Sequence, residues 1–115
     1  MKFDMAFWDS LEKLVQDCGI VIDRAAGTAH PRYPDFIYPI DYGYLEGTSA
    51  MDGGGIDVWR GTDPAQRVVG ILCTLDLMKR DSEVKVLIGC TEDEIQTIYR
   101  AQNEVCMHAL LVRRP

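Results

Sequence analysis

Between residues 20 and 88, the apolar residues fall into short runs that glycine, proline or aspartate interrupt. Short runs rich in β-branched and aromatic residues predict strands rather than helices. The runs lie at residues 20–23, 36–45, 56–59, 68–75 and 83–88. Strands this short leave exposed edges in an open sheet, so we expect a small, closed or partly closed barrel of five strands.

Both ends of the chain show the spacing of an amphipathic helix. Residues 5–18 and 92–107 place apolar side chains three and four positions apart. Asp4 is a candidate N-cap of the first helix, and Thr91 with Glu94 forms a T-x-x-E capping box for the second. The sequence therefore predicts a mainly β domain of the α+β class, with a helix at each end.

The composition is that of one globular domain over residues 1–115, with 47% hydrophobic and 26% charged residues. The net charge of −6 argues against binding to nucleic-acid backbones, which requires a basic surface. No apolar run approaches ~18 residues, so we expect no membrane span. Acidic side chains within residues 1–18 are not typical of a signal peptide, and we expect a cytoplasmic protein.

The cysteines are too far apart in sequence to form a C-x-x-C motif. They are Cys18, Cys73, Cys90 and Cys106. We therefore expect reduced thiols that pack as small core residues, and no structural zinc site.

Two pairs of aspartates share one spacing. Asp52 and Asp57 enclose a glycine turn, and Asp76 and Asp81 enclose the turn that follows the longest apolar run. If these strand ends meet, four carboxylates converge, and such a cluster requires a counter-charge such as Mg²⁺, Mn²⁺ or Ca²⁺. Each aspartate taken alone also fits an ordinary turn or a solvent-facing position, so both interpretations stay open.

Residues 30–45 are rich in tyrosine. Arg32 lies within this segment, and Arg24 precedes it. Tyrosine hydroxyls and arginine guanidinium groups could donate hydrogen bonds to a phosphate. The candidates are Tyr38, Tyr42, Arg24 and Arg32. A basic cluster near Asp76 could balance phosphate charge, and it consists of Lys79, Arg80 and Lys85. The alternatives are ring packing for the tyrosines, solvated positions for the cations, and a structural role for His30.

These segments together resemble the soluble family I inorganic pyrophosphatases. That family shows Y-P-x-x-Y-G-[YF]-[IL], then a threonine, then D-G-D-P-x-D-[VI]. The matching positions are residues 38–45, Thr48, residues 52–58 and residues 69–72. Asp76 and Asp81 follow with the spacing of a later aspartate pair of the family, and the resemblance covers about residues 20–88.

The resemblance implies an OB-like five-stranded barrel that hydrolyses pyrophosphate to phosphate with several Mg²⁺ ions, or with Mn²⁺. It implies that two metals share a water molecule and lower its pKa. The implied metal ligands are Asp52, Asp57, Asp76 and Asp81. The implied catalytic residues are Asp57 and Tyr38. The expected substrate-binding residues, two of which belong to the basic cluster, are Arg24, Arg32, Tyr42, Lys79 and Lys85.

The chain departs from the family pattern at the residue that activates water. Gly54 stands where the family has the aspartate associated with deprotonating the attacking water. Another carboxylate would have to replace it, and Glu46, Asp41 and Glu83 are candidates that the sequence does not rank.

Further departures affect the phosphate-binding residues. Glu83 stands at the position of an expected lysine, and Lys85 follows two residues later. The family's C-terminal Tyr-Lys pair is absent, and Arg113 and Arg114 either replace it or form a tail.

Three functions remain open at this point. The first is Mg²⁺-dependent hydrolysis of pyrophosphate or a related phosphoanhydride. The second is metal-dependent binding of a phosphorylated metabolite without catalysis, on a degenerate pyrophosphatase barrel. The third is base stacking on an OB barrel, which the acidic charge disfavours. We also expect a homo-oligomer, because Phe7, Trp8 and the apolar helix faces could bury surface between subunits.

Overall fold

Six strands and two helices follow one another along residues 2–115, the part of the chain that this computed structural model describes. They are α1 (Lys2–Cys18), β1 (Ile20–Arg24), β2 (Asp41–Leu45), β3 (Asp57–Arg60), β4 (Val68–Asp76), β5 (Asp81–Ile88), α2 (Glu92–Ala101) and β6 (Met107–Arg113). Neither helix is long and apolar enough to cross a membrane over the residues described.

The strands form one sheet in the order β1-β2-β3-β5-β4-β6. Strands β3 and β5 are parallel, and the other neighbouring pairs are antiparallel. This arrangement confirms the expected mainly β, OB-like α+β class. It differs from the expected five-stranded barrel because a sixth strand joins the sheet, and the sheet remains open with β1 and β6 at its edges.

The second helix is shorter than its sequence pattern predicts. It ends at Ala101, and the chain turns and returns as β6, which pairs with β4 from Asp76↔Met107 to Gly70↔Arg113. Pairing supplies hydrogen-bond partners to the backbone of β4, so tertiary contact outweighs the helical spacing of residues 102–107. The prediction of a helix over residues 92–107 is wrong in its last part for this reason.

The helix starts differ in how well the sequence located them. The capping box is confirmed, since Thr91 N donates to Glu94 Oε1 at 2.8 Å and Glu94 N donates to Thr91 Oγ1 at 3.3 Å. Helix α1 begins at Lys2, so Asp4 lies in its first turn and is not the N-cap. A carboxylate in the first turn still favours the helix through its dipole.

Two hydrophobic clusters pack on opposite faces of the sheet, because successive side chains of a strand alternate. Val58 belongs to the cluster under α1, and Trp59 belongs to the cluster under α2. Trp8 of α1 is buried in the first cluster of its own chain. It is therefore not available to a second subunit, whereas Phe7 is exposed.

Arg113 and Arg114 both make ion pairs with residues of the two helices. Arg114 Nη1 donates to Glu12 Oε1 at 2.6 Å, and Val68 N donates to the same oxygen at 3.1 Å, which ties α1 to the start of β4. Arg113 makes two hydrogen bonds to Glu92. These contacts exclude the interpretation of the pair as a loose tail.

Candidate active site

A cavity of about 620 Å³ receives side chains from β1, β2, β3, β4 and β5 and from the loops at residues 25–40, 77–80 and 102–106. It brings together most of the residues that the sequence singled out. They are Arg24, Tyr38, Tyr42, Asp57, Asp76, Lys79, Asp81 and Lys85. Glu83 and His30 also contribute to its wall.

Among the implied metal ligands and substrate-binding residues, Asp52 and Arg32 do not contribute to the cavity wall, and neither does Arg80 of the basic cluster. Asp52 lies in the exposed turn after β2, where Gly54 N donates to Asp52 Oδ1 at 3.0 Å. Arg32 lies in the exposed loop after His30, and its backbone N–H donates to His30 Nδ1 at 3.0 Å. Of the two arginines that the sequence left as alternatives, Arg24 is therefore the one at the cavity.

Arg24 reaches the cavity because β1 and β2 approach each other closely. Gly43 allows this approach, since a Cβ atom there would overlap the carbonyl of Val21. The register then places Arg24 opposite Tyr42. Within the described residues, Arg24 Nη1 is buried and has no hydrogen-bond partner.

Lys85 lies at the centre of the charged wall, with only 9% of its side chain exposed. Its Nζ donates to Tyr42 Oη at 2.6 Å. The same Nζ lies 3.6 Å from Asp57 Oδ2 and 3.4 Å from Glu83 Oε2. One ammonium group is therefore shared by two carboxylates and a phenol, and it holds all three at fixed positions.

The carboxylates and burial shift the pKa values of this cluster. Burial raises the pKa of Glu83, and the neighbouring carboxylate of Asp57 raises it further, while Lys85 opposes both effects. Burial and Asp57 also raise the pKa of Tyr42 strongly, so this phenol keeps its proton at all physiological pH values.

Asp76 and Asp81 lie opposite each other in the register of β4 and β5, at the two ends of the turn that joins these strands. The Oδ1 atom of Asp76 accepts hydrogen bonds from Met78 N at 2.9 Å and Lys79 N at 3.1 Å. This local pairing folds the turn so that Met78 and Lys79 line the cavity. Among the residues described, no three histidine, cysteine, aspartate or glutamate side chains form a preassembled metal cage.

His30 packs in the aromatic part of the wall, in keeping with the structural role expected for it. Its ring centroid lies 4.9 Å from that of Tyr33 and 6.1 Å from that of Tyr38, which it stacks against. Burial lowers its pKa, and the positive charges of Arg24, Lys79, Arg32 and Lys85 lower it further. Three of these cations, Arg24, Lys79 and Lys85, also line the cavity.

Sequence reasoning missed several residues of the wall, among them Trp59 and Gln102. Trp59 Nε1 and Gln102 Oε1 are buried and lack hydrogen-bond partners in the part of the chain described. No sequence signal marks Gln102, since it falls where the helical pattern continued past the true end of α2. The alternation of Val84, Val86 and Ile88 did carry a signal for Glu83 and Lys85, which must share the opposite face.

Solved structures with the same fold are inorganic pyrophosphatases. An inorganic pyrophosphatase from Neisseria gonorrhoeae superposes with a TM-score of 0.65 and 19% sequence identity, over 84% of each chain. The inorganic pyrophosphatase of Coxiella burnetii gives a TM-score of 0.57 and 18% identity, over 83% of each chain. No protein-family model and no curated protein sequence matches the chain. The likeness to these enzymes is therefore one of fold.

Proposed function

We propose that this protein hydrolyses a phosphoanhydride, with pyrophosphate as the first substrate to test, in a Mg²⁺-dependent reaction. The observation that supports this proposal is the cavity itself, because both cations and carboxylates line its wall. The cations are Arg24, Lys79 and Lys85, and the carboxylates are Asp23, Asp57, Asp76, Asp81, Glu83 and Glu104. The same fold occurs in inorganic pyrophosphatases.

In this proposal, Arg24 and Lys79 bind the phosphate groups. A guanidinium group presents N–H donors in a fork that matches two phosphate oxygens, and Arg24 Nη1 has no other partner. Tyr38 lines the same wall, and burial raises the pKa of its hydroxyl, so that it remains a donor. These groups orient the anhydride and compensate its charge.

The carboxylates fit a Mg²⁺ ion that the phosphates help to hold. Mg²⁺ prefers hard oxygen ligands, and it is usually bound by one or two carboxylates together with substrate phosphates and water. Asp76 and Asp81 are register partners at one end of the cavity and would supply such a pair. When bound, the metal would neutralise phosphate charge and lower the pKa of a bound water.

Glu83 is the strongest candidate to replace the missing water-activating aspartate. It lines the cavity, and Lys85 fixes its carboxylate beside Asp57. Asp41 instead accepts hydrogen bonds from Arg60 and from the backbone of Ala26, which lowers its pKa. Neither Asp41 nor the exposed Glu46 contributes to the cavity wall. Glu83 Oε1 or Oε2 would accept a proton from the attacking water.

Phosphate release from pyrophosphate tests the proposal, measured with Mg²⁺ and with EDTA. We expect turnover with Mg²⁺ only, and a loss of at least about 100-fold in Asp57→Asn, because this change removes a cavity carboxylate that is a proposed metal ligand. Asp93→Asn, an exposed carboxylate on α2, is the matched control and should behave as wild type. Absence of phosphate release from wild type in every condition would contradict the proposal.

A second candidate function is metal-dependent binding of a phosphorylated metabolite without catalysis. The observation that favours it is the ion-pair cluster around Lys85, because two of the cavity carboxylates already share this ammonium group as an ion-pair partner before any metal binds. In that case pyrophosphate with Mg²⁺ would raise the melting temperature of the protein, and no phosphate would be released.

A further inference from the structure

The cavity is larger than an inorganic pyrophosphate ion requires. Its volume of about 620 Å³ lies in the range of ~300–1,000 Å³ that is typical of sites for drug-sized organic ligands. The cations and carboxylates of the proposed phosphate site make up only part of the wall. Other lining side chains have a different chemistry.

That second part of the wall is apolar and aromatic. It includes Tyr33, Phe36, Met78, Val105 and Met107. Met78 is 80% exposed and Val105 is 95% exposed, so both present apolar surface to solvent at the cavity. They lie on two turns that are joined by a hydrogen bond from Leu77 N to Cys106 O at 3.0 Å. A ligand that covers this surface would gain hydrophobic free energy.

Val105 has a backbone conformation that a β-branched residue rarely adopts. Its φ is +54°, in the left-handed region that favours glycine or asparagine. The turn after α2 therefore holds an apolar side chain at the cavity at an energetic cost. Such strain is commonly found where a side chain contacts a ligand.

The buried polar atoms without partners all belong to this one cavity. Among the residues described they are Arg24 Nη1, Trp59 Nε1 and Gln102 Oε1, and all three residues line the wall. Trp59 is 1% exposed and Gln102 is 6% exposed, so both side chains are held within the wall without a protein partner for these atoms. A buried polar atom without a hydrogen-bond partner costs free energy, which indicates that a ligand supplies the missing partners.

The chemistry of these atoms distinguishes an organic ligand from pyrophosphate. Phosphate oxygens accept hydrogen bonds, which suits Arg24 but not the carbonyl oxygen of Gln102. Gln102 Oε1 needs an N–H or O–H donor, and Trp59 Nε1 needs an acceptor. A planar heterocycle with N–H groups would supply both and would pack against Tyr33 and Phe36.

We infer that the ligand is a nucleoside diphosphate or triphosphate, with its phosphates beside Arg24 and Lys79 and its base against the apolar wall beside Gln102. For the phosphate end, this inference rests on the proposed function. The base end rests on the cavity volume, the exposed apolar wall and the unpaired Gln102 and Trp59.

A binding experiment with ligands that cannot be hydrolysed tests this inference without requiring turnover. Wild-type protein is titrated calorimetrically, with Mg²⁺ present, with methylenediphosphonate and with the α,β-methylene diphosphates of adenosine, guanosine, cytidine and uridine. We expect at least one nucleotide analogue to bind about tenfold or more tightly than methylenediphosphonate, the advantage that a completed buried hydrogen bond and stacking provide.

Variants separate the two ends of the cavity. Gln102→Leu and Tyr33→Ala should each remove most of the advantage of the nucleotide and leave methylenediphosphonate affinity unchanged. Tyr33 is 56% exposed, so its variant tests the inference even if Gln102→Leu fails to fold. Gln96→Leu, on α2, whose C-cap is Gln102, lies outside the cavity wall; it is the control and should bind both ligands as wild type does.

Two results would overturn the inference, and they are distinguishable. Binding of methylenediphosphonate with no advantage for any nucleotide would reject the organic ligand and leave the proposed hydrolysis of pyrophosphate standing. Failure of the folded wild-type protein to bind any of the five compounds would reject both.

Discussion

Lys85 sets the charge balance of the cavity, because its ammonium group is the shared partner of Asp57, Glu83 and Tyr42. Replacing it by methionine keeps much of the apolar stem but leaves two carboxylates side by side. Removal of one partner from a buried ion pair is costly, and the partial exposure of both carboxylates moderates this cost.

We therefore predict that Lys85→Met lowers the free energy of unfolding by about 1–3 kcal/mol at pH 7. Urea denaturation measures this change. Lys79→Met removes the same charge from an exposed position on the same cavity and should change stability by less than about 0.5 kcal/mol. Equal effects of the two substitutions would contradict the role given to Lys85.

Gly54 allows a second test, since it stands where the pyrophosphatase pattern that this sequence resembles has an aspartate. A Cβ atom there would lie 3.5 Å from Asp52 Oδ1, which is an ordinary contact, so Gly54→Asp is sterically acceptable. The turn that carries Gly54 does not line the cavity. We predict that Gly54→Asp changes phosphate release by less than about threefold.

Glu83→Gln gives the complementary prediction, because the amide cannot accept the proton of the attacking water. We predict a fall in kcat of about 10²–10⁴-fold for pyrophosphate hydrolysis, the usual contribution of a general base. A large gain of activity in Gly54→Asp, or normal activity in Glu83→Gln, would show that the base comes from elsewhere.

At the scale of the elements, α1 is fixed to the sheet through Glu12. Burial alone would raise the pKa of Glu12, but hydrogen bonds from Arg114 and the Val68 amide outweigh burial and lower it. A carboxyl with a lowered pKa in the folded state stabilises that state above its unfolded pKa of about 4.5. This stabilisation is lost as the pH falls through the folded pKa.

We predict that Glu12→Gln lowers the free energy of unfolding by about 1–3 kcal/mol at pH 7, as expected for charged hydrogen bonds. The difference from wild type should shrink as the pH falls from 5 toward 3. Urea denaturation across this range provides the measurement. A difference that stays constant or grows in acid would contradict the role of the ionised carboxylate.

The connection between α2 and β6 offers a prediction of the opposite sign. Val105 is exposed and has a positive φ, so glycine at this position removes strain without loss of buried surface. We predict that Val105→Gly stabilises the fold by up to about 1 kcal/mol. Val112→Gly, in the regular strand β6, should instead destabilise it. Destabilisation by Val105→Gly would indicate that the strain is absent.

The same connection shows where sequence reasoning failed. Val105 and Cys106 continued the helical spacing, and only pairing with β4 reveals that residues 107–113 form a strand. Strands β1 to β5 were predicted because turn residues bound them. The cavity residues Arg24, Tyr38, Asp57 and Lys85 were singled out from residue type and spacing. Trp59 and Gln102 were not, because their role depends on the buried position of one atom.

On the scale of the whole molecule, the cavity shares the acidic character of the chain. The chain carries a net charge of −6, and the cavity wall holds more carboxylates than cations: Asp23, Asp57, Asp76, Asp81, Glu83 and Glu104 against Arg24, Lys79 and Lys85. A divalent cation would offset this excess of carboxylates, so we expect an anionic phosphate ligand to bind more weakly when Mg²⁺ is removed.

Self-association stays a prediction. Phe3, Met5 and Phe7 are exposed on α1, whereas Trp8 is buried in its own core. We expect a homo-oligomer that uses these apolar side chains, and Phe7→Asp should shift it toward the monomer. Light scattering on both proteins measures this. A wild-type mass near 13.0 kDa would contradict the expectation.

The central claim is that the cavity around Arg24 binds and cleaves a phosphoanhydride. ³¹P NMR of pyrophosphate with Mg²⁺ tests it directly, using wild type, Arg24→Met and the exposed control Arg100→Met. We predict conversion to phosphate by wild type and by the control, none with EDTA, and a rate at least about 100-fold lower for Arg24→Met. Undiminished turnover by Arg24→Met, or no conversion by wild type, would contradict it.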